Sequence, residues 1–434
     1  MNFEDVPVAT ASMLHWEQPG DPIEIHSGNL SISRENNTLN GLGDLTYKWT
    51  PRPRARLRLT PFDAYRHFDL GEAQLTAEGF DPLPCYVNRI SESVEANVDK
   101  GLWGHDAEVD SVVFCVPNFH QFHGTPIRTS GSVWSGRAVL ISDDWKITLD
   151  SLSSDAAVHN YLKETGGYAV THIGVAERVN GQRITPADAA KLRETLFWFL
   201  SFCRGQWTGA VLQCGRRSDG TREWIDLAST KISSWRPLSS WCQELTAGDF
   251  PSAFPGFLSL FNQPSWRDPL TLAIHWYVEA NMCAGGIEGG LVLAQATLEM
   301  LAWHVLVEEK EVCSENGFYP LPAEDKLRWL LSDCRIPMAF PDKLSELQKR
   351  AKAFNWPDGP KAITQIRNGL THGQPKQLDK ELKETTRSRF DAWQLALHYL
   401  ELVILRLFGY HGRYFNNVKR PAYMWEGPEQ VPWS

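Results

Sequence analysis

At 434 residues the chain exceeds one typical domain and predicts two or three, each able to bury a core. A formal net charge of -9 excludes wholesale wrapping of nucleic acid, so a polyanion site must be local. Eight cysteines without a Cys-x-x-Cys pair exclude a disulfide framework and a zinc ribbon, and the acidic start Met-Asn-Phe-Glu-Asp excludes a signal peptide; buried thiols of a cytoplasmic protein are expected.

Residues 1 to about 150 read as β-rich. Short apolar runs at 30–33, 57–60, 112–116 and 145–149 are separated by Gly, Pro, Asn and Asp, which predicts a sandwich or an open barrel. Within this region Arg52, Arg54, Arg56 and Arg58 alternate with Pro53, Ala55 and Leu57, so an extended segment places four guanidiniums on one face. Such a row reads either as a charged edge strand that resists aggregation or as a strip that contacts RNA phosphates. His120 and His123 lack further ligands at metal spacing, and Gly166-Gly167 lacks a following Gly-Lys-Ser/Thr, so neither a metal nor another cofactor is expected.

From 150 to 250 the pattern is mixed. Pro186 to Cys203 has helical spacing with Thr185 as its cap, and strands are expected at 208–213 and 221–227. Prolines at 251, 255 and 264 predict a linker over 251–266. Beyond it come long helical runs at 268–283, 288–309, 323–331, 342–354, 360–372 and 385–408, which predict an all-α bundle over 267–415 and leave 416–434 as a tail. Gly289 to Val307 approaches the length of a membrane span, but Glu299 and His304 interrupt it and a buried bundle helix is expected. The fold class is therefore α+β: a β-rich front region over 1–250, divisible near 150, followed by a helical bundle.

The richest chemistry lies in the fifth of these helices. Arg367, Asn368 and His372 place a permanent cation, a planar amide and a titratable imidazole within six residues, beside a buried stripe of Ile363, Ile366 and Leu370. Arginine can hold a phosphodiester, histidine can move a proton near neutrality, and asparagine can position a hydroxyl. Together they suit metal-independent cleavage of RNA by attack of the 2′-hydroxyl on the adjacent phosphate. An Arg and a His solvated at a helix end are the plain alternative. Between Pro341 and Phe390 eleven Lys plus Arg face six Asp plus Glu, an excess of five positive charges around the motif, with Lys361 and Lys376 as further candidates for RNA contact.

A late Arg-Asn-x-x-x-His motif on a helix of an all-α bundle, with Glu299 on an earlier helix, resembles the HEPN superfamily of ribonucleases. The closing Leu407-Phe408-Gly409-Tyr410-His411-Gly412-Arg413-Tyr414 and the β-rich front are similar to its ApeA-type branch of bacterial anti-phage proteins. The resemblance implies that Arg367 and His372 form the catalytic pair, that Asn368 is the polar residue following the Arg, and that Glu299 orients Arg367 or His372. It also implies a homodimer or larger oligomer with a composite site, and RNA, such as tRNA, as substrate. The front region would then sense a phage-derived trigger or select substrate. A non-catalytic RNA- or nucleotide-binding module and an aromatic-rich interaction scaffold are the competing readings.

Overall fold

The computed structural model describes residues 3–63, 68–153, 155–243, 248–371, 386–419 and 427–434. The chain divides into two compact units, Met1–Leu200 with Trp207–Pro237 and Ser201–Gln206 with Leu238–Ser434. The α+β class holds, with a β-rich region followed by a helical one.

The first unit opens with six antiparallel strands: β1 (Ile23–Arg34), β2 (Asn37–Lys48), β3 (Arg54–Pro61), β4 (Gly71–Thr76), β5 (Leu83–Ile90) and β6 (Val94–Val98). They close into a barrel in the order β1-β2-β3-β6-β5-β4, sealed by the pairing of Ser31–Ser33 with Gln74–Thr76. Closure removes the unpaired edges that an open barrel or sandwich would leave. Period-two alternation fills the interior, with Ala55, Leu57 and Leu59 of β3 pointing inward beside Leu45, Val87 and Ala96.

Eight further strands form a second sheet in the same unit. In chain order they are β7 (Leu102–Gly104), β8 (Ser111–Pro117), β9 (Thr125–Arg128), β10 (Val133–Ile141), β11 (Trp145–Ser151), β12 (Val170–Arg178), β13 (Val211–Arg216) and β14 (Arg222–Asp226), and in space they run β7-β14-β13-β8-β12-β11-β10-β9. The expected strand at 208–213 thus begins later, and the sheet extends well past residue 150. One apolar core, including Trp103, Val113, Cys115 and Ile225, continues from the barrel into this sheet. Helix α1 (Asp155–Thr165) was not expected; it is short, and its apolar stripe is Val158 and Leu162, buried with Ala169. Helix α2 (Pro186–Arg204) starts on a reciprocal cap: the Asp188 amide donates to Thr185 Oγ1 at 3.1 Å, and the Thr185 amide donates back to the Asp188 carboxylate at 3.3 Å.

The second unit is helical. Its elements are α3 (Phe254–Phe261), α4 (Pro264–Asn281), α5 (Gly286–Trp303), α6 (Glu315–Phe318), α7 (Ala323–Asp333), α8 (Ser345–Ala353), α9 (Gly359–Thr371) and α10 (Thr386–Leu407). The stretch expected as a linker contains α3 and the start of α4. Pro255 and Pro264 sit in first turns, where a missing N–H costs nothing, and Phe254, Phe257 and Phe261 supply a buried stripe. The last turns of α5 pass into a π-helical segment, His304–Glu309. Gly286–Glu309 is the one helix among the described residues long and apolar enough to cross a membrane, and 61% of its apolar window is buried within the protein. The tail is folded too: β15 (Arg413–Tyr414) pairs with β16 (Glu429–Gln430), and Trp433 is buried.

None of the eight cysteines forms a disulfide; six are buried and Cys283 and Cys313 are half-buried. Among the described residues no three His, Cys, Asp or Glu side chains cluster at metal-binding distance.

Candidate active site

Helix α9 is fixed at its start by Asp358. The Lys361 amide donates to Asp358 Oδ1 at 2.9 Å, which caps the helix, and Arg328 of α7 donates to both oxygens of the same carboxylate at 2.7 and 3.1 Å. Gly359 follows, where a Cβ would lie 2.3 Å from Tyr399 Oη, so α9 comes against α10 at a distance only glycine allows. Ala362, Ile363 and Ile366 are fully buried, whereas Leu370, expected on the same stripe, is half-buried at the far end. This packing leaves the polar residues of α9 at the margin of the buried face.

Arg367 and Asn368 both stand there, half-buried, and Arg367 Nη1 donates to Asn368 Oδ1 at 3.2 Å. Arg367 Nε is buried with no hydrogen-bond partner among the described residues, and the guanidinium makes no ion pair with them. The contrast within the same unit is instructive. Arg328, Arg389 and Arg413 each hold a carboxylate, on Asp358, Glu288 and Asp249 respectively. A buried guanidinium N–H without an acceptor costs about 1–3 kcal/mol or more, so Arg367 is kept here against local stability. The arginine presents an unmet demand for an anionic acceptor.

His372 and Lys376 lie outside the described residues; α9 is described to Thr371, the residue before the histidine. Glu299 of α5 does not pair with Arg367. Gln295, one turn earlier on the same helix, donates to the Glu299 carboxylate at 2.9 Å, so an i,i+4 amide takes the place expected for the arginine. Lys361 is engaged as well, in an ion pair with Glu324 of α7, which leaves it poorly placed for RNA. The positive excess around the motif is partly internal: Arg350 lies beneath Phe354 and Trp356, and Arg389 is 6% exposed against Glu288. Beside the end of α9 an open groove of about 490 Å³ is lined by Leu370 and Thr371 together with Gly285, Glu288, Gly289, Val292 and Leu293 of α5.

The arginine row of the first unit is formed in part. Arg54, Arg56 and Arg58 project from the outer face of β3, while Arg52 is exposed in the bend before it. The strand is not an edge, since β2 and β6 flank it on both sides, so protection from aggregation is not its reason. Its field is compensated: Arg58 sits opposite Asp44 on one neighbour and Glu95 on the other, and Arg54 pairs with Asp99 at 3.4 Å.

Sequence reasoning missed a buried polar centre in the second unit. Glu401 of α10, 2% exposed, accepts from Tyr277 Oη at 2.6 Å and from the Trp241 amide at 3.1 Å. Burial pushes its carboxyl up to about 8, against the opposing pull of these hydrogen bonds. A signal was present: Glu401 follows Leu397 by four residues and so interrupts the apolar stripe of the last helix.

The fold thus comprises a β-rich unit and a helical unit in which Arg367, beside the Asn368 amide, has no carboxylate partner among the described residues. Two known families match. Residues 104–238 match the YopA central domain and residues 263–429 match the YopA C-terminal domain. Over 430 residues, 95% of each chain, the protein is 26% identical to the SPbeta prophage-derived uncharacterized protein YopA of Bacillus subtilis (strain 168). No solved structure matches at a significant level.

Proposed function

We propose that the chain is a metal-independent endoribonuclease of an anti-phage or toxin-type system, acting in the cytoplasm as a homodimer on a cellular RNA such as tRNA, with a HEPN-like site at Arg367, Asn368 and His372. Arg367 holds the scissile phosphodiester and Asn368 fixes the guanidinium. An imidazole of His372 takes the proton of the 2′-hydroxyl as the O2′–P bond forms. A second imidazole, from the other copy, gives a proton to O5′ as the P–O5′ bond breaks. The products are a 2′,3′-cyclic phosphate and a 5′-hydroxyl.

The observation that carries this reading is Arg367: half-buried, bonded to Asn368, and without a carboxylate among the described residues. The prophage origin in the relative's printed name fits a role in contests between phage and host. Purified protein incubated with total RNA in excess chelator should still cut, leaving 3′ ends that resist ligation until polynucleotide kinase removes the cyclic phosphate. Free 3′-hydroxyl ends, or cleavage that needs a divalent ion, would sink the mechanism. RNA binding with no cleavage would favour the non-catalytic binding module.

A further inference from the structure

We infer that a second groove, on the first unit, binds a nucleoside monophosphate, either as a free nucleotide or as one residue of single-stranded RNA, with the base against Phe197 and the phosphate toward Lys191 and Lys231. The groove has a volume of about 530 Å³ and is walled by α2 and by the 229–231 segment after β14. That size suits a mononucleotide, since small-molecule sites span roughly 300–1,000 Å³.

Its aromatic wall is held rigidly. Phe197 stands half-exposed on α2 and stacks on Trp207 with centroids 5.3 Å apart and planes 7° from parallel. Trp207 is 2% exposed, and Lys231 Nζ sits 4.1 Å from its ring centre. Gly209 passes directly beneath: a Cβ there would lie 2.9 Å from Phe197 Cα, so only glycine lets the backbone support the ring at this distance. A fixed, partly exposed ring backed by a second one is a platform on which a base can stack without loss of side-chain freedom.

The polar lining divides by role. Lys191 and Lys231 are exposed cations at the rim and suit a phosphate. Arg193 is tied to Asp226, which sets the floor, and Glu194 lines the groove beside it. An acidic peptide would use the lysines but has no need of the ring; a base uses both. One hydrogen bond links the groove rim to the arginine row. Asp99, which pairs with Arg54, accepts the Ser229 amide on its carbonyl at 2.9 Å, so the row and the groove rim meet at one residue.

This inference stands apart from cleavage, and its test avoids cleavage. The full chain is mixed with a 2′-O-methyl oligouridine carrying 4-thiouridine, irradiated, and the crosslinked peptide mapped; binding is measured in parallel for AMP and for ribose 5-phosphate. Crosslinks within 190–198 or 229–231 are expected, with AMP competing at least about tenfold better than ribose 5-phosphate because stacking on the ring is lost without the base. Phe197→Ala should weaken binding about tenfold, and Lys231→Glu, an exposed change that leaves the fold intact, should weaken it comparably. Oligomer binding far tighter than AMP identifies RNA as the ligand, and equal binding identifies the free nucleotide. Crosslinks elsewhere, no binding of either probe, or indifference to Lys231→Glu would overturn the assignment.

Discussion

Arg367→Ala is expected to lower RNA cleavage by at least about 10²-fold, the usual effect of removing one group that stabilises charge in a transition state. The same change should move the melting temperature by no more than about 3 °C. The second expectation is what makes the first informative. Alanine removes a guanidinium whose Nε is buried without an acceptor among the described residues, which relieves a desolvated donor, and it also removes the packing of the aliphatic stem. These effects oppose one another, so stability changes little while the proposed phosphate-holding group is gone. Arg367→Lys should recover part of the lost turnover, because the charge remains but the planar fork does not. Unchanged turnover with Arg367→Ala, or a large loss of stability with it, would make Arg367 a structural residue.

Glu401→Gln should flatten the pH dependence of stability between pH 6.5 and 8. The sign follows from linkage. The folded carboxyl is pushed up to about 8 by burial, far above an ordinary glutamate, so the folded state binds more protons than the unfolded state between those values. The stabilisation is complete below about pH 4.5, declines as pH rises, and is lost above the folded value. A fully buried group with this shift contributes at most about 5 kcal/mol. Glutamine keeps an oxygen for Tyr277 Oη and the Trp241 amide but has no proton to lose, so the variant should be the more stable protein at pH 9. His398 works in the opposite sense and in another window. Burial lowers it to about 4, so its contribution is present above pH 6.5 and lost as pH falls through 4. Urea unfolding from pH 6.5 to 8 isolates Glu401. Parallel slopes for parent and Glu401→Gln would show that the carboxyl is ionised at neutral pH.

The periods of the two halves were legible in the sequence, and so were the helices of the second unit other than α3 and the single turn α6. The alternation of Arg52, Arg54, Arg56 and Arg58 with Pro53, Ala55 and Leu57 put three of the four guanidiniums on one face, Arg52 falling in the bend before the strand. What it could not carry was topology: whether β3 lies at an edge depends on its pairing with β6, Ala55 against Val98 and Leu59 against Val94, and no local pattern encodes that pairing. The expected linker failed for a different reason. Three prolines were read as breakers although proline is welcome in the first turn of a helix, and the phenylalanine period beneath them was overlooked. At the candidate site the motif itself could be read directly, but the partner of Glu299 could not, because a glutamine on the same helix competes with the more distant arginine. Glu401 stands on the apolar face of the last helix, four residues after Leu397, where a carboxylate interrupts the stripe.

The measurement that bears most directly on the ribonuclease reading is end-mapped sequencing of RNA from cells producing the intact chain or His372→Ala, with and without phage challenge. The expected result is a discrete set of cuts ending in 2′,3′-cyclic phosphate that disappears in the variant. RNA identical in both strains, with the two proteins equally folded and abundant, would contradict it.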